Sequence, residues 1–260
     1  ILSLLDNSNN LATFFCLGWV ARKYPSIIER IALEGHEIGS HSNAHQLIYR
    51  HDRKFFKNDL EISIKSLEDI IGTKVKAYRA PGFSLVSETI WAFEELTLQG
   101  IEYDCSVFLG NHSHGGRIKE FGMKPSIINV NGKIIKEFPI NSVKFISKEV
   151  AFSGGGYFRF LPYPLIKSLM QRSEYIMTYF HPRDFDSLQP VISDLSTFRK
   201  FKSYYGLKGA FSKAEKFVND FDFISLSHAD KIVNWSNADY FELIDGKLQL
   251  SSTSYKAGFI

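Results

Sequence analysis

Residues 35–45 read Gly35-His36-Glu37-Ile38-Gly39-Ser40-His41-Ser42-Asn43-Ala44-His45. Ile38 among small residues is typical of a buried strand in a parallel sheet, where bulky polar groups are excluded. The strand leads directly into His41 and His45, whose spacing puts both imidazoles on one face of a helical or near-helical turn. One ring nitrogen from each histidine can then reach the same divalent ion at about 2.0–2.1 Å. Because α/β folds place their chemistry at strand ends, the pattern predicts a metal site; a pair of surface histidines at a helix start is the alternative.

Predicted strands and amphipathic helices alternate along the rest of the chain. The helix over residues 52–71 is the clearest, because its apolar residues repeat at i, i+4 and i+8 and Gly72 follows as a stop. The sequence further predicts helices at 1–8, 19–33, 87–98 and 162–171, strands at 12–17, 75–79, 101–106, 175–180 and 221–227, and a hairpin of 126–130 and 133–138 joined by Asn131-Gly132. This alternation indicates an α/β fold with a parallel sheet that closes on itself.

The composition is that of an ordinary globular chain of 260 residues, with 44% hydrophobic and 23% charged residues, and the length suits one α/β domain. The net charge of +3 comes without a long basic run, so no nucleic-acid partner is predicted. No apolar run reaches the length of a transmembrane helix, so none is predicted within this stretch. Cys16 and Cys105 fall in predicted strands without CxxC spacing. We therefore expect buried thiols, no disulfide framework and, from that absence, a cytoplasmic protein.

The stretch from Gly35 to His45 resembles the second signature motif of the polysaccharide deacetylases, the NodB-homology group that forms carbohydrate esterase family four. Two later stretches fit the same family: Arg79-Ala80-Pro81-Gly82-Phe83 is similar to its Arg-x-Pro motif, and Tyr179-Phe180-His181-Pro182 to the late motif that ends in the catalytic histidine. Residues 154–159 and 181–186 are similar to a subgroup found with bacterial exopolysaccharide assembly genes.

The resemblance covers roughly residues 10–230 and implies a distorted (β/α) barrel of the seven-stranded polysaccharide deacetylase type, with the hairpin as an insertion. The family's first motif, an adjacent pair of aspartates on the opening strand, has no match before Ala12, where Asp6 is a lone acid in a polar loop. We therefore expect the first strand and the native amino terminus to lie outside these residues. Residues 1–230 are predicted to form an amino-terminally incomplete catalytic domain, and residues 231–260 a tail of unknown role.

Hydrolysis of an acetamide needs an activated water, a polarised carbonyl and a proton for the leaving amine. His41 and His45 would supply two of the usual three protein ligands of a divalent metal, zinc being the expected ion, and the resemblance implies the absent aspartate as the third. His181 is the candidate general acid, because histidine ordinarily titrates near neutral pH; a structural histidine before proline is the alternative. The resemblance implies that Arg79 orients the base carboxylate and that Asp104 tunes His181. The alternatives are an ordinary surface salt bridge for Arg79 and a cap of the following loop for Asp104.

Four residues are predicted to contact substrate: Pro81, Tyr157, Arg159 and Tyr179. The glycines at 154–156 would let the backbone approach a ligand, and Arg159 would bind an anionic sugar or a phosphate; a plain flexible loop is equally compatible. The polar loop at 111–116 holds His112 and His114 as alternative ligands, although a solvated loop is the simpler interpretation.

The leading hypothesis is a metal-dependent hydrolase that removes N-acetyl or O-acetyl groups from a bacterial polysaccharide or its precursor. The second hypothesis is a non-catalytic carbohydrate-binding relative that lacks the aspartate pair. A zinc peptidase is disfavoured, because its helix normally carries His-Glu-x-x-His, whereas Ser42 follows His41 here.

Overall fold

The computed structural model describes residues 1–109, 118–145 and 148–251. The chain divides into two compact units: a sheet unit formed by Leu11–Pro139 with Ile224–Ile260, and a helical unit formed by Ile1–Asn10 with Ile140–Phe223. None of the helices in the described residues has the length and apolar character needed to cross a lipid bilayer.

Ten α-helices and ten strands lie within the described residues. The helices are α1 (Leu2–Asn7), α2 (Gly18–Lys23), α3 (Pro25–Leu33), α4 (Arg53–Ile71), α5 (Ala92–Leu98), α6 (Gly155–Phe160), α7 (Tyr163–Gln171), α8 (Thr197–Tyr204), α9 (Leu207–Asp220) and α10 (Leu226–Ile232). The strands are β1 (Thr13–Cys16), β2 (Glu37–Ser40), β3 (Ala77–Tyr78), β4 (Tyr103–Asp104), β5 (Ser126–Val130), β6 (Lys133–Glu137), β7 (Val143–Phe145), β8 (Lys148–Val150), β9 (Asp239–Ile244) and β10 (Lys247–Leu250).

The sheet unit contains an eight-stranded sheet in the order β1-β2-β3-β4-β6-β5-β9-β10. Strands β1 to β4 are parallel, and their last residues lie in one row, since Cys16 pairs with Ser40, Ser40 with Tyr78 and Tyr78 with Asp104. The segments that follow these strands therefore leave the sheet at the same edge, where α/β folds usually carry their functional groups.

The hairpin of β5 and β6 is part of this sheet rather than an addition to it. β6 runs parallel to β4, and β5 runs antiparallel to β6 and parallel to β9. Strands β9 and β10, which pair antiparallel, bring residues 239–250 into the sheet. The predicted α/β class and the predicted hairpin are confirmed, and both strands of the hairpin pair within the main sheet.

The predicted helix over residues 52–71 is confirmed as α4. Asp52 caps it by accepting a hydrogen bond from the Phe55 N–H at 2.8 Å, and Gly72 ends it at φ 70°. The predicted helix over residues 19–33 is divided instead into α2 and α3. Pro25 begins the second helix, because proline has no N–H to continue the first but fits the first turn of a new one.

Two predicted strands are wrong. Residues 175–180 form a single bridge, between Gly154 and Tyr179, and residues 221–225 run as an irregular segment into α10. The apolar side chains of these two segments pack instead against a buried cluster, and they are Ile176, Phe180, Phe221 and Phe223. The cluster itself consists of Phe152, Phe158, Ile166, Met170 and Phe217. A short apolar run does not reveal whether its side chains meet a sheet neighbour or a helix, so periodicity alone misassigned both segments.

Candidate metal and catalytic site

The segment His41–His45 follows β2 at the carboxyl edge of the sheet. It is an irregular turn rather than the predicted helical one, because Ser42 and His45 have left-handed φ values of 68° and 58°. The two imidazoles nevertheless meet, with ring centroids 5.1 Å apart and ring planes at 75°. The expected pairing of the rings is found, and the backbone that produces it differs from the expected one.

One hydrogen bond identifies the tautomer of His41. Its Nδ1 lies 2.7 Å from the carbonyl oxygen of Arg79. A carbonyl oxygen can only accept, so Nδ1 carries the hydrogen and the ring lone pair is on Nε2. Metal-binding histidines commonly donate their other ring N–H in this way, which fixes the ring and raises its basicity. His41 is half-buried and His45 is exposed, so the pair lies at the protein surface.

Helix α4 holds this turn in its unusual backbone conformation. The Asp59 carboxylate accepts the Asn43 N–H at 2.8 Å, and the Ser63 hydroxyl donates to the Ser42 carbonyl at 3.0 Å. Within the turn, the His45 N–H donates to the Ser42 hydroxyl at 2.9 Å. A left-handed backbone at residues other than glycine costs free energy and persists only where neighbouring groups stabilise it. The hydrogen bonds from α4 and within the turn provide that stabilisation.

Asp59 and Ser63 are supporting residues that the sequence analysis missed. Both are buried on the face of α4 that also carries Phe56 and Leu60. Burial raises the pKa of the Asp59 carboxyl, an effect that the bonds from the Asn43 and Ala44 N–H groups partly oppose. Two polar residues four positions apart on an apolar helix face are the signal that would have pointed to them.

Arg79 follows β3 at the same edge of the sheet. The backbone N–H of Arg79 donates to the Ser40 carbonyl at 3.0 Å. Its guanidinium lies 4.4 Å from the centre of the Phe15 ring, and its Nε donates to the Cys105 carbonyl at 3.3 Å. Among the residues that the structure describes, no ion pair is found between the Arg79 guanidinium and a carboxylate. Pro81 is buried at the start of the short 3₁₀ turn Pro81–Phe83 that follows.

Asp104 is fully buried, and its side chain is paired with a residue that the sequence analysis did not single out. Glu137 is its partner in the register of β4 and β6 and is equally buried. Asp104 accepts hydrogen bonds from the Ser106 N–H at 3.1 Å and hydroxyl at 2.6 Å, and Glu137 accepts the Val107 N–H at 3.1 Å. Burial raises the pKa of both carboxyls, and the charge of Asp104 raises that of Glu137 further. Because two neighbouring carboxylates repel each other, such a pair tends to hold one proton between its two carboxyls, with only one of them ionised.

His181 lies in the helical unit, where it precedes the 3₁₀ turn Pro182–Asp184 and is exposed. Asp184 is buried, and its Oδ2 accepts the His181 N–H at 2.9 Å and lies 3.6 Å from His181 Nδ1. Within this unit the carboxylate beside His181 is therefore Asp184, whereas Asp104 has local partners in its own unit. The spacing His181-x-x-Asp184 is the sequence signal that points to this carboxylate.

The predicted substrate contacts in the helical unit have different surroundings. Tyr157 is exposed on α6, and the Tyr179 carbonyl accepts the Gly155 N–H at 3.1 Å. Arg159 is buried, and its guanidinium donates to the carbonyls of residues 202, 203 and 205 at the end of α8. Because these donors are used inside the protein, sugar binding by Arg159 finds no support in this placement.

The donor groups present fit part of a zinc site. His41 and His45 supply two of the three protein ligands usual in catalytic zinc sites. Within residues 1–109, 118–145 and 148–251, no three histidine, cysteine, aspartate or glutamate side chains are grouped to hold a metal ion. The alternative ligands His112 and His114 lie outside the described residues.

Two family models match the chain. Residues 1–101 match the model described as polysaccharide deacetylase, and residues 105–231 match a model described as a domain of unknown function (DUF3473). The first model covers the His41–His45 turn and Arg79.

Two curated relatives are similar to parts of the chain. The peptidoglycan-N-acetylglucosamine deacetylase of Bacillus cereus is 36% identical over 96 residues, which are 36% of this chain and 35% of that protein. The chitooligosaccharide deacetylase of Azorhizobium caulinodans is 34% identical over 82 residues, which are 31% of this chain and 39% of that protein. The matched part of this chain thus spans little more than a third of the length of either relative.

A solved structure shows the likeness of the fold. The crystal structure of a Mycobacterium smegmatis protein assigned to the polysaccharide deacetylases superposes with a TM-score of 0.58 at 19% identity, covering 91% of this chain and 76% of that one. Residues 1–101 are therefore similar in sequence to the polysaccharide deacetylases, and the solved structure shows that the fold of the chain is of the same kind.

Proposed function

We propose that this chain is a metal-dependent deacetylase that removes N-acetyl or O-acetyl groups from a bacterial polysaccharide or its precursor. The observation that carries the proposal is the His41–His45 turn, in which the Arg79 carbonyl holds the His41 ring with its lone pair on Nε2. This is the arrangement that a metal-binding imidazole needs, and it follows β2 at the edge of a sheet whose fold is shared with deacetylases.

The residues of the chain divide the reaction between them. His41 and His45 would hold a divalent ion, with zinc as the proposed ion, and the amino-terminal aspartate pair of the family would supply the third ligand and the general base. When bound, the metal lowers the pKa of a water molecule and polarises the acetyl carbonyl. Arg79 would orient the base carboxylate through a charge-assisted bond. His181 would donate a proton to the leaving nitrogen, or to the leaving oxygen of an ester.

Acetate release and zinc binding, measured side by side, test the proposal. With the family's amino-terminal aspartate pair present, we expect the protein to release acetate from N-acetylglucosamine oligomers when zinc is added, and to lose this activity on chelation. His41→Ala should weaken zinc binding in calorimetry, whereas His228→Ala, which removes an exposed histidine of α10, should leave it unchanged. Equal zinc binding by the wild-type and His41→Ala proteins would contradict the assigned metal site.

A non-catalytic carbohydrate-binding protein is the second candidate. It is favoured by one observation, that the described residues group only two histidines and no third metal-binding side chain at the turn. This alternative predicts that oligosaccharides bind in calorimetry without release of acetate, and that chelation leaves the binding unchanged.

A further inference from the structure

Two segments of the helical unit contact each other although they are more than 20 residues apart. The first is the glycine-rich block Gly154–Arg159, which forms the start and most of α6. The second is Tyr179–Asp184, which contains His181. The proposed reaction gives a role only to His181, so the remaining residues of both segments need another explanation.

The first contact is a close approach of two backbones. Gly154 and Tyr179 form a parallel bridge, and the Gly155 N–H donates to the Tyr179 carbonyl at 3.1 Å. A Cβ atom at Gly154 would lie 2.1 Å from the Tyr179 carbonyl oxygen, so only glycine permits this approach. Gly155 adopts a left-handed φ of 54°, which also favours glycine.

The second contact is an ion pair at the other end of α6. Arg159 Nε, which is buried and makes no hydrogen bond, lies 3.4 Å from Asp184 Oδ1. Asp184 Oδ2 accepts the His181 N–H at 2.9 Å and lies 3.6 Å from His181 Nδ1. Burial alone would raise the pKa of Asp184, but the bonds from His181 and the charge of Arg159 lower it below its ordinary value.

Arg159 is itself held firmly. Its two terminal nitrogens donate to the carbonyls of Lys202 and Ser203 at 2.9 and 2.8 Å, at the end of α8. The Lys213 ammonium donates to the Arg159 carbonyl at 3.0 Å. Because the guanidinium is planar and its other donors are fixed, the position of Nε against Asp184 is fixed as well.

We propose that the block Gly154–Arg159 is a positioning device for His181, which it holds at two points: the backbone of Tyr179, and Asp184 through Arg159. The inference rests on the proposed role of His181 as general acid. In this arrangement Asp184 and Arg159 are positioning residues, and neither touches the substrate. Asp184 keeps the His181 backbone and ring in place, and Arg159 keeps Asp184 ionised and oriented.

The competing explanation is that Asp184 is only a local cap of the turn Pro182–Asp184. A local cap needs the carboxylate but does not need Arg159. The two explanations therefore differ in how Asp184 and Arg159 variants combine, and a double-mutant cycle separates them.

Steady-state kinetics provide the first test. For Asp184→Asn we expect kcat to fall by about 10- to 100-fold with KM within about two-fold, because a misplaced catalytic group costs rate more than binding. Arg159→Gln should lower kcat similarly, and the double variant should lose no more than Asp184→Asn alone. Arg159→Lys, which keeps a positive charge, should recover part of the loss. Asp186→Asn is the matched control, since this exposed carboxylate in the same loop accepts the Leu188 N–H instead.

Amide hydrogen exchange provides the second test, and it does not depend on activity. The His181 amide should exchange at least about ten-fold faster in Asp184→Ala than in the wild-type chain, because its acceptor is removed. Arg159→Gln should also speed this exchange, and Asp186→Ala should not.

The outcomes separate this inference from the proposed function. Acetate release with unchanged kcat in Asp184→Asn, or additive losses in the double variant, would overturn the positioning device and leave the deacetylase intact. Faster His181 exchange in Asp184→Ala and Arg159→Gln, in a chain that releases no acetate, would support the device and contradict the proposed function. Unchanged exchange in Asp184→Ala would overturn the device whatever the activity.

Discussion

The two histidine-bearing turns of this protein are supported in different ways. The His41–His45 turn, in the sheet unit, has its N–H and C=O groups bound by Asp59 and Ser63 of α4. The His181 turn, in the helical unit, is bound by its own Asp184. Asp59 faces N–H groups, and burial raises its pKa, whereas Asp184 also faces a guanidinium and has a lowered pKa.

The difference shows how a histidine can be oriented with or without a strained backbone. The His41–His45 turn contains two left-handed residues, so it needs support from a rigid neighbouring helix. His181 has an extended backbone, and its support comes from a charge three residues away that a buried arginine holds in place. We expect the first turn to depend on its hydrogen bonds to α4, and the second to depend on the ion pair between Asp184 and Arg159.

The largest expected effect separates metal binding from proton donation. His45→Ala should lower both zinc affinity and acetate release. His181→Ala should lower kcat by on the order of 100- to 10,000-fold, the usual contribution of a general acid, and leave zinc affinity unchanged. Calorimetry with zinc and an acetate assay on both variants measure this. A loss of zinc affinity in His181→Ala would remove the distinction between the two turns.

Removing the support from α4 should have the next largest effect. Asp59→Ala leaves the half-buried Asn43 N–H without its acceptor. The turn should therefore loosen, and zinc affinity should fall by about 10- to 100-fold, as for other groups that orient metal ligands. Asp69→Ala is the control, because Asp69 lies on the same helix in an exposed pair with Lys65. Equal zinc affinity for Asp59→Ala and Asp69→Ala would show that α4 does not hold the turn.

A stability measurement tests the backbone contact in the helical unit. Gly154→Ala would place a methyl group 2.1 Å from the Tyr179 carbonyl oxygen and should lower the free energy of unfolding by about 1–3 kcal/mol. Gly156→Ala is the matched control, since the atoms nearest to a Cβ at that position would be 3.7 Å away. Urea unfolding of both variants gives the comparison, and equal midpoints would contradict the close approach.

The smallest expected effect is that Asp59 and Asp184 change the stability of the folded state in opposite directions as pH rises. The raised pKa of Asp59 means that it favours the folded state less as pH rises, so Asp59→Asn should gain stability relative to wild type above about pH 4. The lowered pKa of Asp184 means that its stabilisation is present above about pH 4 and is lost in acid, so Asp184→Asn should lose relative stability as pH rises.

Melting temperatures of the wild-type protein, Asp59→Asn and Asp184→Asn, measured between about pH 3 and pH 7, test these two pH dependences. The expected differences in melting temperature are a few degrees at most. Parallel slopes for Asp59→Asn and Asp184→Asn would mean that the two carboxylates are in equivalent environments. Glu61→Gln, an exposed change on α4, should follow the wild-type protein.

Local signals predicted the elements whose reasons are local. The hairpin was expected from Asn131-Gly132, and these residues have the positive φ values of 53° and 84° that its tight turn requires. Helix α4 was expected from a repeat of apolar residues between Asp52 and Gly72. The pairing of His41 with His45 was expected from their spacing, although the turn between them is not helical.

Contacts between distant segments could not be predicted in the same way. The apolar pattern of residues 175–180 and 221–227 predicts strands, because it does not say whether a sheet or a helical cluster will cover these side chains. The sequence suggests an anionic sugar or a phosphate as the partner of Arg159, because nothing in its sequence neighbourhood points to the carbonyls of α8 or to Asp184. Glu137 cannot be identified from the sequence, because its pairing with Asp104 depends on the register of β4 and β6.

The sequence by itself determined the α/β class, the family motifs and the positions of the histidines in the chain. These follow from residue type and short spacing, which act within one helix, strand or turn. Only the tertiary structure decided which groups hold each histidine: Asp59 and Ser63 for one turn, and Asp184 with Arg159 for the other. The reason is that hydrogen bonds and charges act over a few ångströms in space, and the fold alone brings residues dozens of positions apart within that range.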